Sequence, residues 1–263
     1  MTDFILIDGS YFCFFRYHAL LSWWKNAHKD DPLGESPIDN PIFVEKFKKI
    51  VKSKFKELPK RMGMTNPTII IGKDCHRRDI WRYDLYDKYK SNRDNGKPFL
   101  GAPFFKLAYN ELFTEYQILS HPRLEADDCI AIHAKHIADT IPNAKISIIT
   151  SDMDYLQLCR ENISLYDLKW KNLLESKTAF DCPKKNLFCK IVMGDKSDDI
   201  TSVFKKCGIK TAEKLYNNPD AFQLRLDTEE GAKALYQRNI TLVDFNEIPD
   251  IYVNEFKTVF HNT

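Results

Sequence analysis

The chain contains no long hydrophobic run. Its longest apolar stretches, such as ISIIT and TIII, fall far short of the roughly 20 residues that a membrane span needs, so no span is expected. The opening residues, MTDFILID, lack a basic start, an apolar stretch of signal length and a small-residue cleavage site, which predicts a protein that stays inside the cell. Paired cysteines are missing as well. Cys13, Cys75, Cys129, Cys159, Cys182, Cys189 and Cys207 are odd in number, scattered and free of any C-x-x-C spacing. That argues against a disulfide framework or a zinc site and leaves reduced, mostly buried thiols. There is no internal repeat and no low-complexity segment, and neither sign of charge dominates. A formal net charge of +2 is too mild to argue nucleic-acid binding by itself.

What is present describes an ordinary globular protein. With 43% hydrophobic and 13% aromatic residues over 263 positions, the chain can bury a proper core as one large domain, or as a main domain with a small appendage. The distribution of charge says more than its sum. Carboxylates gather in a few places, whereas basic residues cluster at Lys88, Lys90 and Arg93, at Lys205, Lys206, Lys210 and Lys214, and through FVEKFKKIVKSKFK. A near-neutral total can hide an acidic site flanked by phosphate-binding surfaces.

Residues 3 to 7 read as a buried strand followed by an aromatic segment with helical spacing, YFCFFRYHALLSWW. Pro, Gly and Asp content marks Lys25 to Pro41 as a loop. From about Ile42 to Leu58 a basic amphipathic helix is expected, with Phe43, Phe47, Ile50, Val51 and Phe55 on its apolar side and lysines that form either a solvated face or a binding surface. PTIIIG and KISIIT are further strands, and helices are expected from Pro103 to Tyr116 and in the run after LEADD. This alternation predicts an α/β protein with a parallel sheet covered on both sides. Beyond about residue 183 the pattern turns helical, so the chain divides into residues 1–182 and 183–263.

Acidic residues recur at the ends of the apolar runs: Asp8 in FILIDGS, Asp74 in TIIIGKD, Glu125, Asp127 and Asp128 in LEADD, Asp152 and Asp154 in ISIITSDMD, and Asp195 and Asp198 in GDKSDD. Carboxylates at the carboxyl ends of parallel strands point into the crevice where open α/β sheets bind ligands. So many together repel unless cations neutralise them. A lone Asp after a strand is ordinarily a cap or turn residue; it is the recurrence at successive strand ends that asks for divalent metal. Two Mg²⁺ ions about 4 Å apart on shared carboxylates form an arrangement for phosphodiester hydrolysis.

In order, LIDGSY, YDKYKSNRD, LEADDCIA, ITSDMDYLQL and MGDKSDDITSVFKKCGIKTAEKL resemble the motif series of the 5′-nuclease superfamily, which includes flap endonucleases, the 5′-exonuclease domains of bacterial DNA polymerases and phage RNase H proteins. The blocks span residues 5 to 215, and the tail ITLVDFNEIPDIYVNEF is similar in character to the phage RNase H type. The resemblance implies a PIN-like, mostly parallel sheet flanked by helices, a short helical arch over about 83–116, and a helix-three-turn-helix element over about 195–217.

It also implies roles for particular residues. Asp8, Asp74, Glu125 and Asp127 would surround a first metal, Mg²⁺ or Mn²⁺, with Asp128 close by. Asp152, Asp154 and Asp198 would complete a second, with Asp195 assisting through water. A shifted strand end would put Asp79 in the place of Asp74. Lys90 and Arg93 would grip the scissile phosphate, and Tyr89, with Tyr83 and Tyr86, would either stack on an unpaired terminal base or pack in the core. Lys205, Lys206, Gly208, Lys210, Thr211 and Lys214 would hold duplex phosphates. Lys206 and Cys207 stand where the family has a Gly-Ile turn, which weakens the K⁺ site that the resemblance implies there. For Trp23 and Trp24 two readings stay open, an apolar wedge near the mouth of the DNA channel or core packing.

The activity so implied is 5′-3′ exonuclease or flap endonuclease action on RNA primers, nicks or 5′ flaps on duplex DNA during replication or repair. The protein would be cytoplasmic in a bacterial or viral setting and would act as a monomer beside replication proteins such as a single-strand-binding protein. The alternatives are a PIN-like RNA endonuclease and a non-catalytic nucleic-acid-binding protein with a structural metal. The C-terminal residues KTVFHNT show no clear sliding-clamp motif.

Overall fold

β1 (Asp3–Asp8) forms the middle of the sheet because FILI is buried on both sides: Phe4 and Leu6 face one core, Ile5 and Ile7 the other. Such a two-sided hydrophobic run is what a central parallel strand requires. The computed structural model describes residues 2–30, 32–93, 96 and 98–260. Around β1 lie β2 (Thr68–Gly72), β3 (Gln117–Leu119), β4 (Lys145–Ile149) and β5 (Ile163–Tyr166) in the order β3-β2-β1-β4-β5, with every pairing parallel. The three-residue β3 and four-residue β5 do not stand out in the sequence. The chain first builds outward from β1 to β2 and β3, then returns to β4 and β5. The direction of winding therefore reverses between β1 and β4, where open sheets leave a crevice at their carboxyl ends.

One face of the sheet carries α1 (Gly9–Ala27), α2 (Pro41–Met62) and α3 (Ala102–Leu107), packed through Phe12, Phe43, Phe47, Phe55 and Phe104. Asn40 caps α2 by accepting from the Phe43 amide, and Gly63 closes it in the left-handed conformation. α4 (Ala126–Thr140) covers the other face with Ile130 and Ile137. The helical part contains α5 (Pro183–Met193), α6 (Ile209–Tyr216), α7 (Pro219–Thr228) and α8 (Ala232–Val243), whose own apolar cluster includes Cys189, Val192, Phe204, Ala212 and Leu215. The segment after Val243 leaves this cluster. Phe245 and Ile248, and Phe256 on α9 (Asp250–Phe260), pack with α4 on the sheet, so the tail returns to the sheet's core and does not extend the helical cluster.

Among the described residues the helix expected over Pro103–Tyr116 is shorter, running as the six residues of α3 and one wide turn at Ala108–Leu112, and the rest of the segment 83–116 holds short turns. Its aromatic residues draw it down instead. Phe104 and Phe113 are fully buried, and Phe99 stacks on Phe14 of α1 at 5.8 Å. Residues 94, 95 and 97 of that segment, like the last three of KTVFHNT, lie outside the described residues. Of the two readings open for the tryptophans, core packing holds for Trp24, which is buried and stacked on His28 at 4.0 Å; its neighbour Trp23 is 42% exposed. No helix among the described residues is long and apolar enough to cross a membrane.

Candidate metal centre and nucleic-acid interface

The carboxyl ends of β1, β2 and β4 open into a cavity of about 700 Å³ whose lining includes Asp8, Asp74, Glu125, Asp127, Asp152 and Asp195. Each acid arrives by a local device. Asp8 ends β1 and caps α1, its Oδ1 accepting from the Tyr11 amide at 2.9 Å, so capping uses one oxygen and leaves the other for the cavity. The turn is tight at Gly9, where a Cβ would lie 2.7 Å from the Gly72 carbonyl. Asp74 follows β2 and accepts from the Ala126 amide at 2.8 Å and from the Ser10 hydroxyl, tying the starts of α1 and α4 together. Asp79, the alternative, lies outside the cavity and pairs with Arg78 at 3.6 Å. Asp152 follows β4 and caps the next turn through the Asp154 amide at 2.9 Å.

Burial and mutual repulsion set the protonation of this group. Burial, then Asp74, pushes the Asp8 carboxyl up to about 7. Burial, with Asp152 next, lifts Asp154 to about 7, even though Lys190 contacts it. Asp127 is raised well above the carboxylate range by burial and by Asp128 and Glu125. Glu125 behaves in the opposite way: burial favours its neutral form, but Lys90 and Arg82 outweigh that and hold it below the usual range.

The basic residues expected from YKSNR do face these acids. Lys90 Nζ contacts Glu125 Oε1 at 2.5 Å and stands 3.7 Å from Asp198 Oδ2. Burial opposes its charge, but Glu125 and Asp198 raise its pKa above the normal lysine value. Its backbone is left-handed, at φ 54°, and its amide donates to the Asp198 carbonyl at 2.8 Å. Arg93 pairs with Asp198, donates from Nε to the Ser197 carbonyl at 3.2 Å, and remains half exposed at the rim.

Two cations escaped the sequence reading. Lys190 on α5 lies between Asp154 Oδ1 and Asp195 Oδ2, 2.5 Å from each. Arg82 is fully buried, donating to both oxygens of Asp128 at 2.7 and 2.8 Å and to Glu125 Oε2 at 3.0 Å. The nearest sequence signal for Lys190 is its position five residues before Asp195; Arg82 carries none.

The structure redistributes two expected roles. Glu125, Asp127 and Asp128 each offer an oxygen within 4.8 Å of the others, but Asp128 is wholly buried and its oxygens are engaged by Arg82, Trp81 Nε1 and the Glu125 amide. It braces the cluster from behind and does not line the cavity. Tyr89 is 2% exposed and donates to Glu125 Oε2 at 2.9 Å and Asp198 Oδ2 at 3.3 Å, so it has no free face for a base. Tyr86 is half-buried with its hydroxyl on the Asp199 carbonyl, and Tyr83 packs edge-on against Tyr89. Asp195 and Asp198 sit in the turn after α5, where Asp195 and Ile200 exchange backbone hydrogen bonds of 2.9 and 2.7 Å.

Beyond that turn, Lys205, Lys206, Gly208, Lys210 and Lys214 are exposed and Thr211 half-buried around the start of α6. Lys206 has φ 54°, the left-handed conformation that glycine adopts without steric cost. A lysine thus holds the left-handed position in this turn where the resemblance implied a glycine.

The donor set fits a hard divalent cation: all oxygen, with acids outnumbering bases. Nine carboxylates meet four cations, Arg82, Lys90, Arg93 and Lys190, leaving five surplus negative charges when all are ionised.

Known proteins resemble this chain over most of its length. Residues 3–186 match the family of the 5′-3′ exonuclease, N-terminal resolvase-like domain. The 5′-3′ exonuclease of Buchnera aphidicola is 30% identical over 242 residues, covering 89% of this chain and 77% of that protein. Ribonuclease H of Enterobacteria phage T4 is 26% identical over 218 residues, covering 73% and 68%. Among solved structures, the bacteriophage T5 5′-exonuclease with divalent zinc bound superimposes with a TM-score of 0.73 at 17% identity, over 99% of this chain and 98% of that one. The T5 flap endonuclease in a pseudo-enzyme-product complex with DNA and metal ions gives 0.71 at 17% identity with the same coverage. These last two share the fold. With the family model spanning residues 3–186 and a 30% identical relative matched over 77% of its length, the chain belongs to the 5′-3′ exonuclease family.

Proposed function

We propose that this chain hydrolyses phosphodiester bonds at 5′ flaps, nicks or RNA primers on duplex DNA, using two Mg²⁺ or Mn²⁺ ions. The observation that carries this reading is the convergence of surplus carboxylates with Lys90 and Arg93 in one cavity. Asp8, Asp74, Glu125 and Asp127 would hold one cation, and Asp152 and Asp154, with Asp195 and Asp198 nearby, the other. Cations bound there activate water for attack and stabilise the leaving oxygen. The chain's own residues supply the rest. Arg93, half exposed at the rim, offers a guanidinium to the phosphate. Lys90 and Lys190 each bridge two acids, keeping positive charge beside the reacting centre. The lysines around the start of α6 hold duplex phosphates away from that centre. Action as a monomer alongside a single-strand-binding protein, and a K⁺ ion at the Lys206 turn, belong to the same proposal but are not needed for the chemistry.

The test is cleavage of 5′-labelled nicked, flapped and RNA-primed duplexes with Mg²⁺ or with EDTA. Asp152→Ala and Asp154→Ala should each abolish Mg²⁺-dependent cleavage while leaving duplex affinity largely intact. Full turnover by either variant would defeat the two-metal reading, and product length separates exonuclease from flap cutting.

A further inference from the structure

α2 is the most basic element in the chain. Lys46, Lys48, Lys49, Lys52, Lys54, Lys56, Lys60 and Arg61 oppose only Glu45 and Glu57, a net of +6 in 22 residues, against +2 for the whole chain. Some of this charge is spent locally: Lys48 reaches Glu111 at 2.8 Å, and Lys54 reaches Glu57 at 2.9 Å. Lys49, Lys52, Lys56 and Lys60 are exposed, and no carboxylate among the described residues pairs with them. Glu115 and the already paired Glu111 are the acids sharing a groove with Lys52 and Lys56. The four lysines run about 16 Å along the helix, the last three at intervals of about 6 Å.

The row ends against a second basic segment. At its end Arg61 lies over the Trp170 ring, 5.4 Å from the centroid. Trp170 belongs to the turn after β5, where Lys169 and Lys171 are exposed and Asp167 accepts from both their amides at 2.8 and 2.9 Å. Trp170 itself sits at φ 68°, a conformation disfavoured for a bulky residue. The adjacent Leu168 amide donates to the Tyr11 hydroxyl at 3.0 Å, and Tyr11 lines the cavity.

We infer that α2 and the 167–171 turn form a basic track that carries the phosphate backbone of nucleic acid outside the catalytic cavity. This extends the proposed nuclease reading to a binding surface separate from the start of α6. Three features select nucleic acid as the occupant. The exposed side chains of α2 from Lys49 to Lys60 are polar, so this face presents none of the apolar anchors that dominate protein recognition. The lysines form a row and not a cluster, which suits a repeating charge. A second basic element with an aromatic ring, the 167–171 turn, continues the row past Arg61, the combination that single-strand grooves use.

The experiment measures binding of labelled flapped duplex in EDTA, across salt concentrations, for the full chain and for Lys49→Gln/Lys52→Gln/Lys56→Gln/Lys60→Gln. Removing four phosphate contacts should lower the slope of log affinity against log salt by about 3–4 and weaken binding tenfold or more, while the Mg²⁺-dependent rate at saturating substrate is unchanged. Lys169→Gln/Lys171→Gln should lower the slope by roughly a further 2, and four arginines in place of the α2 lysines should restore it. An unchanged slope overturns the inference, with the face then merely solvated. Loss of binding to a poly-glutamate probe but not to DNA also overturns it, in favour of an acidic protein. If the wild type binds with the full slope yet cleaves nothing, the nuclease reading fails and the track stands.

Discussion

Replacing Asp8 by Asn should stabilise the cation-free protein and end its activity. Asp8 keeps its proton up to about pH 7 in the folded chain, against an ordinary value of 3.8. Between those two values the folded state binds more protons than the unfolded one, so stability falls as pH rises. Above pH 7 the whole cost is present, about 4 kcal/mol for a displacement of this size. Asn removes that cost while keeping an oxygen for the Tyr11 amide, and Asn is as good a helix cap as Asp. Burying the amide takes back about 1–2 kcal/mol. The net gain of about 2–3 kcal/mol corresponds to a rise in Tm of roughly 5–10 °C for a chain of this length.

The assay is thermal denaturation followed by circular dichroism, in EDTA at pH 8 and at pH 5. The variant should melt higher at pH 8, with most of the difference gone at pH 5, where the wild-type carboxyl is protonated. Mg²⁺ at pH 8 should then raise the wild-type Tm and leave the variant nearly where it was. A gain independent of pH, or an Asp8→Asn protein that melts below the wild type at pH 8, would refute the reasoning, because the cost would not lie in the buried negative charge.

Three further outcomes follow from the same geometry. Arg82→Met leaves the buried Asp128 carboxylate unpaired and should cost about 3–5 kcal/mol in urea unfolding; Arg82→Met/Asp128→Leu should recover most of it. Tyr89→Phe removes the hydrogen bonds to Glu125 and Asp198 and should lower stability by about 2 kcal/mol with the Kd for flapped duplex unchanged, whereas a base-stacking role predicts weaker flap binding. Lys206→Gly relieves the left-handed backbone and should hold or raise stability, by up to about 1 kcal/mol, while flattening the salt slope of duplex binding by about 1.

The strand ends were legible because two signals coincide at one position. β1 and β4 are apolar runs that only burial explains, and an acid at their exit has few places to go except the crevice. β3 and β5 were not, because three or four residues show no period. Lys190 and Arg82 were illegible for a different reason. Lone basic residues on helices and turns ordinarily point to solvent, and apart from Asp195 beside Lys190 their carboxylates lie 36 to 46 positions away in sequence. Tyr89 misled the reading because it sits in a basic segment, YDKYKSNRD; Ile80, Ile191, Ile200 and Leu242 close over it from elements far apart in the chain. The return of α9 to the sheet was hidden likewise, since Phe256 reads as one helix face with no sign of what it covers.

The carboxylates of the cavity divide by how their charge is met. Glu125 and Asp195 are held below the usual range by protein cations, Lys90 and Arg82 for the first and Lys190 for the second, against the pull of burial. These stay anionic at any working pH and act as fixed supports. Asp8, Asp127 and Asp154 are raised by burial and then by neighbouring carboxylates, Asp74 for the first, Asp128 and Glu125 for the second and Asp152 for the third, so each is neutralised either by a proton or by a cation from solution. A site built of supports alone would be stable and inert; one built of raised acids alone would hold protons and lose its shape. With both kinds on the ends of adjacent parallel strands, the fold fixes the positions through its own lysines and arginines and leaves a second set of oxygens whose charge only a divalent ion relieves above neutral pH. Protons must then compete with the metal on Asp8 and Asp154 as pH falls below 7.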